Sequence, residues 1–516
     1  MTTPAPPVGE AALGFLGSGH QPPDALPAAD PARLPPVHKR YPSATRLALP
    51  PDDGATPYGS GLPRLSRLLR QTNGLTRMRW MSGLMPLGLS APGTPGERRV
   101  LLSPGRTAAA SGSRYPVEVY VAHGPVDGLT AGLSHYDPVH HALERLRDGD
   151  GRARLLGLLS DPPAREAEFV LLLSSVLWRN AAKYGAFGYR LQSLDVGVVA
   201  AQAVAAAGVE GLTATVHLHY DDRGLDEVLG LSPAAESVFA VVTLHRADGT
   251  PGPPEGRAPW DGHVPAAVPG PRSLSEVPHL AEAALLHAAI RTAAPGRAGR
   301  LPAWSPPPVS PRHALPTAAL DLAEGFPGRR TVYGYRPGPV PERTLAALLS
   351  AAAGPLPAGS PPDAGSPDVQ LAAVVQRVPG VETGAHLYDA TGHALVRTRS
   401  ADAVREVMHA AKSPMLADEC RTATATLVPC ADLRTGIERF GDRWYRTRNI
   451  AAGALAQRLA LAAAAMGLES HVHCDFGLDA MTRALGLGAG PLQPLVAVTV
   501  GPRCAERADP QLPLRA

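Results

Sequence analysis

Lysine is scarce in this chain, where Lys39, Lys183 and Lys412 stand against 46 arginines. Arginine keeps its proton at any ordinary pH, whereas a desolvated lysine can release it. A lysine retained where arginine serves almost everywhere else marks a place that wants a proton acceptor. Lys183, followed directly by Tyr184, is a candidate for that role if it is desolvated. The plainer alternative is a surface lysine and a half-buried tyrosine ahead of a helix. Ser111-Gly112-Ser113 reads as a tight turn before a strand at Val117, and Arg329-Arg330 is either a solvated basic pair or an anion site. His140-His141 has no partner at metal-ligand spacing, and no metal is expected. Cys420, Cys430, Cys474 and Cys504 form no C-x-x-C pair, which points to neither a zinc site nor a disulfide framework but to a reducing compartment, the cytoplasm.

These residues need a scaffold, and the chain has length for two. Its 516 residues exceed the roughly 250–300 that one core supports. With 44% apolar and 18% charged residues the balance is that of a globular protein. Its 49 basic side chains nearly match 46 acidic ones without a long run of either sign, which argues against nucleic acid or a membrane surface as the main partner. The start of the chain has no basic stretch ahead of an apolar core. The longest apolar run, 451–468, is broken by Gln457 and Arg458, so neither a signal peptide nor a membrane span is expected. Residues 1–36 hold nine prolines and read as a flexible arm. Residues 37–248 form a first domain, 249–325 a Pro/Gly-rich linker with one helix at Ser275–Thr292, 326–505 a second domain and 506–516 a tail. Val117–Ala122 and Val238–Leu244 read as strands, Leu191–Gly208 and Ile450–Leu468 as alanine-rich helices.

The two domains repeat each other. Tyr136-Asp137, His141-Ala142-Leu143 and Arg145 recur at Tyr388-Asp389, His393-Ala394-Leu395 and Arg397, a displacement of 252. From Gly185 and Gly441 onward the displacement is 256: Tyr189-Arg190 with Tyr445-Arg446, Gly197 with Gly453, Val216-His217 with Val472-His473, and Val242-Thr243 with Val498-Thr499. One four-residue insertion accounts for the step, and a constant offset that includes Tyr, Arg, His and Gly is a duplication. The matching places of His217 and His473 favour a shared structural role over metal ligation. Tyr136-Asp137 and Tyr388-Asp389, present in both copies, read as a turn. A duplicated domain stands in for a homodimer, so what one copy keeps and the other loses points to the working site.

Residues Ala110 to Tyr120, with Gly132 to Asp137, resemble the P-S-x-G-x-x-Y-P-x-E-x-Y and G-x-x-x-Y-D signature of SagB/McbC-type dehydrogenases, a branch of the FMN-dependent nitroreductase superfamily. Leu65 to Thr76 is similar to the family's L-x-x-L-L-x-x-x-x-G-L-T segment, and Lys183 to Arg190 to its K-Y-G-x-x-x-Y-R. The second copy resembles a plainer nitroreductase domain, with Arg329 to Tyr333 near its R-x-S-x-R/K start. Ala109 and Ala110 stand where the family has Pro-Ser, Thr331 replaces Ser, and Arg439-Phe440 replaces Lys183-Tyr184 in the second copy, as does the loop 364–368 for Ser111–Pro116.

The resemblance implies an α+β fold of two tandem FMN-dependent nitroreductase-like domains, each a mainly antiparallel sheet flanked by helices, paired as a pseudo-dimer within the chain. It implies one FMN, with Arg329, Thr331 and Arg503 at the phosphate, Cys474 and Asp475 offering backbone N–H groups, and Ser111, Gly112 and Ser113 of the other copy over the ring. It also implies oxidation of a peptide thiazoline or oxazoline to the aromatic azole, with Lys183 and Tyr184 as the catalytic pair. The expected partners are an azoline-containing precursor peptide and a cyclodehydratase. An NAD(P)H-dependent nitro or quinone reductase and a non-catalytic scaffold of a peptide-modifying complex are the competing readings.

Overall fold

A computed structural model describes residues 9–23, 35–51, 61–81, 101–163, 166–249, 260, 263–268, 273–274, 280–293, 299–307, 310–354, 369–504 and 511–514. The chain divides into two units. The first takes residues 25–298, 357–361 and 509–516; the second takes 1–24, 299–356 and 362–508. The chain's first helix, α1 (Glu10–Ser18), therefore belongs to the second unit.

In the first unit the chain runs through β1 (Thr45–Ala48), α2 (Gly61–Asn73), β2 (Leu75–Met81), β3 (Leu101–Arg106), β4 (Val117–His123), β5 (Gly132–Asp137), β6 (Ala142–Asp148), α3 (Arg152–Leu156), β7 (Phe169–Val176), α4 (Leu177–Tyr184), α5 (Gly188–Val209), β8 (Leu212–His217), α6 (Asp222–Leu229), β9 (Glu236–Arg246) and α7 (Ala281–Thr292). Seven strands form one antiparallel sheet in the order β1-β6-β5-β4-β7-β9-β8. The central strands β4, β7 and β9 are buried along nearly their whole length, which is why they read as continuous apolar runs rather than alternating ones. Helix α5 is buried around nearly its whole circumference, the place of a core helix, and takes the polar Arg190, Gln192, Asp195 and Gln202 inside with it. Among the described residues Leu177–Val209 is the one helical stretch long and apolar enough to cross a membrane, and 78% of its apolar window is buried.

The second unit repeats this plan with β10 (Arg312–Ala314), α8 (Glu342–Ala353), β11 (Gln370–Val375), β12 (Gly384–Asp389), β13 (Ala394–Arg399), α9 (Asp402–Ala410), α10 (Pro414–Thr422), β14 (Ala425–Ala431), α11 (Leu433–Phe440), α12 (Arg443–Ala465), β15 (Leu468–His473), α13 (Leu478–Ala484), β16 (Gln493–Pro494) and β17 (Ala497–Pro502). Its sheet runs β10-β13-β12-β11-β14-β17-β15, strand for strand the order of the first. The duplication in the sequence is thus a duplication of topology. The offset steps between β6/β13 and β7/β14, where the first unit has α3 and the second α9 and α10. The repeated Tyr-Asp pairs, expected as turns, are instead the last residues of β5 and β12 and hold the turns that follow: Asp137 and Asp389 each accept two backbone N–H groups, and Tyr136 and Tyr388 each bond the Nδ1 of His141 and His393. Both histidines have positive φ, 47° and 44°.

The chain ends differ from the expected arm and tail. Ala12 and Phe15 of α1 are buried, the Ala12 N–H donates to Asp442 Oδ1 at 2.7 Å, and the Phe15 ring meets Tyr445 edge-on at 5.4 Å. The proline content on either side hid a short apolar cluster long enough for two helical turns. Residues 1–8 and 24–34 of that arm lie outside the described residues. At the other end β18 (Gln511–Pro513) pairs with β2 in the first unit's three-stranded sheet β18-β2-β3. The linker is also partly built in. The Trp260 indole N–H donates to the Gly149 carbonyl at 2.8 Å, and the helix expected at Ser275–Thr292 is α7, with 275–279 outside the described residues. His287 of α7 contacts the Tyr189 hydroxyl at 3.4 Å, just as His20 beyond α1 contacts the matching Tyr445 at 2.9 Å.

Candidate functional site

Helix α4 ends at Lys183-Tyr184 because Gly185 follows with φ 60° and ψ −144°, a conformation that side chains other than hydrogen disfavour. Its counterpart Gly441 makes the same kind of corner with φ 85°, but presents Arg439-Phe440. Facing the corner is the loop Ala110–Tyr115, in which Gly112, Ser113 and Tyr115 all have positive φ, 55°, 56° and 46°. Two of these are not glycine, so the loop carries strain that its surroundings must hold.

The clamps are explicit. Both the backbone N–H and the hydroxyl of Ser111 donate to Asp195 Oδ1, at 3.0 and 2.9 Å, and Asn180 Nδ2 donates to Asp195 Oδ2 at 3.2 Å. Arg179 donates to the Tyr115 carbonyl at 2.8 Å and pairs with Glu118 at 2.5 Å; the Tyr115 hydroxyl donates to the Pro104 carbonyl at 2.9 Å. Burial raises Asp195 to about 7 against the pull of its bonds from Ser111 and Asn180. Burial also disfavours charge on Glu118, but Arg179, His135 and Arg106 together hold its carboxyl well below the usual range.

The clamped loop puts its backbone against the lysine and the tyrosine. A methyl group on Gly112 would come within 2.2 Å of the Tyr184 hydroxyl and 2.8 Å of Lys183 Nζ. The five residues Ser111, Gly112, Ser113, Lys183 and Tyr184, read from separate stretches of sequence, therefore lie at one place in the first unit. Lys183 Nζ stands 4.9 Å from the centre of the Tyr184 ring. Burial and, after it, the charge of Arg114 lower Lys183 to about 8. The other two lysines are employed differently. Lys39 is buried, which alone would lower its pKa, but the Glu236 carboxylate at 2.6 Å raises it above the ordinary value; Lys412 donates to the Pro22 carbonyl at 2.7 Å. Of the three, Lys183 is the one placed to give up a proton near neutrality. Sequence reasoning missed Arg114, Asn180 and Asp195, which act through tertiary approach and carry no local signal in the sequence.

The remaining candidates lie in the second unit along its edge strand β15. Thr331 bridges Ser470, and the Val332 N–H reaches the Ser470 carbonyl at 3.4 Å. Arg330 pairs with Glu469, Arg503 comes to 3.9 Å of the same carboxylate, and Arg329 is buried at the start of this segment. Cys474 and Asp475 follow the far end of β15, with the Asp475 carbonyl accepting the Lys412 N–H at 3.0 Å. Two guanidinium groups on one carboxylate leave net positive charge at one end, and the strand rise of about 3.3 Å per residue sets the other end roughly 17 Å away. That spacing and polarity fit FMN, an extended molecule with a phosphate at one end and a ring at the other. The loop 364–368 lies outside the described residues.

The Nitroreductase family profile matches residues 91–244 and 327–502, one segment in each copy. A solved structure of a nitroreductase-type protein of Anabaena variabilis covers 96% of this chain and 99% of its own, with a TM-score of 0.74 at 22% identity, which establishes the two-copy fold. The trifolitoxin-processing protein TfxB of Rhizobium leguminosarum bv. trifolii is 26% identical over 147 residues, 27% of this chain and 39% of that protein. A nitroreductase-type protein of Methanocaldococcus jannaschii is 31% identical over 120 residues, 23% of this chain and 61% of that protein. The matched regions span less than two thirds of either curated relative.

Proposed function

This chain belongs to the nitroreductase family, and we propose that it is an FMN-dependent dehydrogenase that oxidises thiazoline or oxazoline rings of a ribosomally made peptide to thiazoles or oxazoles. Members of the family bind FMN. The observation that carries the proposal is Lys183, lowered to about 8 and set with Tyr184 against the Gly112 backbone. Aromatising an azoline removes a proton and a hydride from the ring. FMN, when bound, supplies the two-electron acceptor. Unprotonated Lys183 takes the ring-carbon proton, Tyr184, whose ring lies under the amine, offers its hydroxyl to the substrate, and the clamped Ser111–Ser113 loop walls the place beside them. Arg329, Thr331 and Arg503 would hold the phosphate, and Cys474 and Asp475 would offer backbone N–H groups to the flavin. The similarity to a protein named for trifolitoxin processing supports a peptide substrate, with a cyclodehydratase as the enzyme that makes the azoline. Four free cysteines suit a cytoplasmic site of action.

A nitro or quinone reductase is the second reading, favoured by the M. jannaschii relative. It needs no substrate base. An azoline-containing peptide mixed anaerobically with the FMN-loaded chain discriminates: the proposal expects flavin bleaching and loss of two hydrogens from the peptide, both abolished by Lys183→Ala with flavin still bound. Bleaching by NAD(P)H alone, with the peptide unchanged, selects the reductase.

A further inference from the structure

The insertion that separates the two copies carries a residue with no match in the first. It lies in the connection occupied by α9 and α10, and α10 brings Glu419 beneath the edge strand β15. There His471 and His473, two residues apart and so on one face of the strand, meet its carboxylate. His471 Nδ1 is 3.1 and 3.0 Å from Oε1 and Oε2, and His473 Nε2 bonds Oε2 as well. We propose that Glu419, His471 and His473 form a binding site for one divalent transition-metal ion of the zinc class.

The three ligand atoms lie within 4.8 Å of one another, close enough to converge on one ion. Two imidazole nitrogens and a carboxylate are the donor set of zinc sites that keep an open position. The Glu419 and His473 side chains are buried, whereas that of His471 is 12% exposed, so the open position and the path of entry lie on the His471 side. A second layer is present too. The Thr499 hydroxyl lies 3.5 Å from Glu419 Oε2 and meets the Tyr335 hydroxyl at 2.8 Å, and the Tyr333 ring stands edge-on to His471 at 4.8 Å. A carboxylate this deep needs a cation beside it, and an ion held by two neutral imidazoles supplies one without protonating either ring.

The first copy shows what the same strand does without the acid. There Thr215 and His217 occupy the places of His471 and His473, and His217 bonds the Thr243 hydroxyl at 3.0 Å. The structural role expected of both repeated histidines therefore describes His217. His473 differs because the insertion adds a ligand and the strand a second histidine.

The test uses the full chain, with flavin content recorded throughout so that the result is independent of the proposed reaction. Chelator-stripped protein is titrated with Co(II), then with Zn(II), and metal is counted after dialysis. The expected result is one ion per chain, visible Co(II) ligand-field bands that zinc removes, and affinity weakened at least about 100-fold in both Glu419→Gln and His471→Ala. His471 is partly exposed, so its variant is expected to melt as the parent does. Absence of the bands with substoichiometric zinc, or equal uptake by parent and His471→Ala, would overturn the site and leave a protonated histidine–glutamate cluster.

Discussion

Replacing Lys183 by Arg keeps a cation at the end of α4 and removes the ability to accept a proton. With its pKa lowered to about 8, Lys183 is unprotonated in about 9% of molecules at pH 7; an ordinary lysine at 10.5 would be so in about 0.03%, a gain of roughly 300-fold. Lys183→Arg forfeits that fraction and the base with it, so the rate of flavin reduction by an azoline peptide is expected to fall by about 10²–10⁴. The assay is anaerobic single turnover, which reads the chemical step alone. In the parent the rate rises tenfold per pH unit below about 8 and levels above it, because the base works unprotonated. Arg114 depresses the lysine, so Arg114→Gln moves the bend to higher pH. The depressed pKa also has a stability cost. Folded Lys183 loses its proton before the unfolded chain does, so its contribution to stability rises as pH climbs from about 8 toward 10.5 and is least favourable below 8. Lys183→Met is therefore expected to stabilise the first unit at pH 7 by about 1–2 kcal/mol, the full shift being discounted for partial exposure. A Lys183→Arg enzyme within about threefold of the parent, or a flat profile through neutrality, would refute the assignment of the base.

Three further outcomes are expected. Gly112→Ala meets the mobile ends of Tyr184 and Lys183 rather than backbone, and takes a positive φ, so turnover falls at least about tenfold while stability falls only by about 1 kcal/mol, read by single turnover and urea titration. Asp195 is raised to about 7, so the folded chain holds its proton longer than the unfolded one and this group's contribution declines as pH rises from about 4 to 7; urea titrations should show that decline in the parent and lose it in Asp195→Asn. Phe15→Ala empties a buried aromatic site under Tyr445 and is expected to destabilise the second unit by about 3–5 kcal/mol, although residues around it are proline-rich; an unchanged melt would mean α1 does not hold to α12.

The duplication was legible because Tyr, Arg, His and Gly recur at constant offset, and those residues occupy demanding places: Tyr189 and Tyr445, Arg190 and Arg446 are all buried, and His141 and His393 share a positive φ. The motif residues Ser111–Ser113 and Lys183-Tyr184 were legible as types, and their proximity in space follows from the end of β7, where α4 begins, pairing with the start of β4, where the loop ends. Asp195 was not, since an aspartate inside an alanine-rich helix has no local pattern that tells a clamp from a surface charge. Helix α1 was hidden because composition averaged over 36 residues is dominated by proline, whereas the helix needs only nine residues and two buried side chains. Glu419 was hidden for the opposite reason: it sits in an insertion, and comparing copies shows what they share.

The central claim is that Lys183 and FMN together aromatise an azoline ring. Its most direct test is one anaerobic mixing of the FMN-loaded chain with an azoline-containing peptide, following flavin absorbance and peptide mass in the same sample. The account predicts one azole formed per flavin bleached, without NAD(P)H, at a rate that rises with pH up to about 8. Flavin that stays oxidised beside an intact azoline, yet bleaches at once with NAD(P)H, would contradict it.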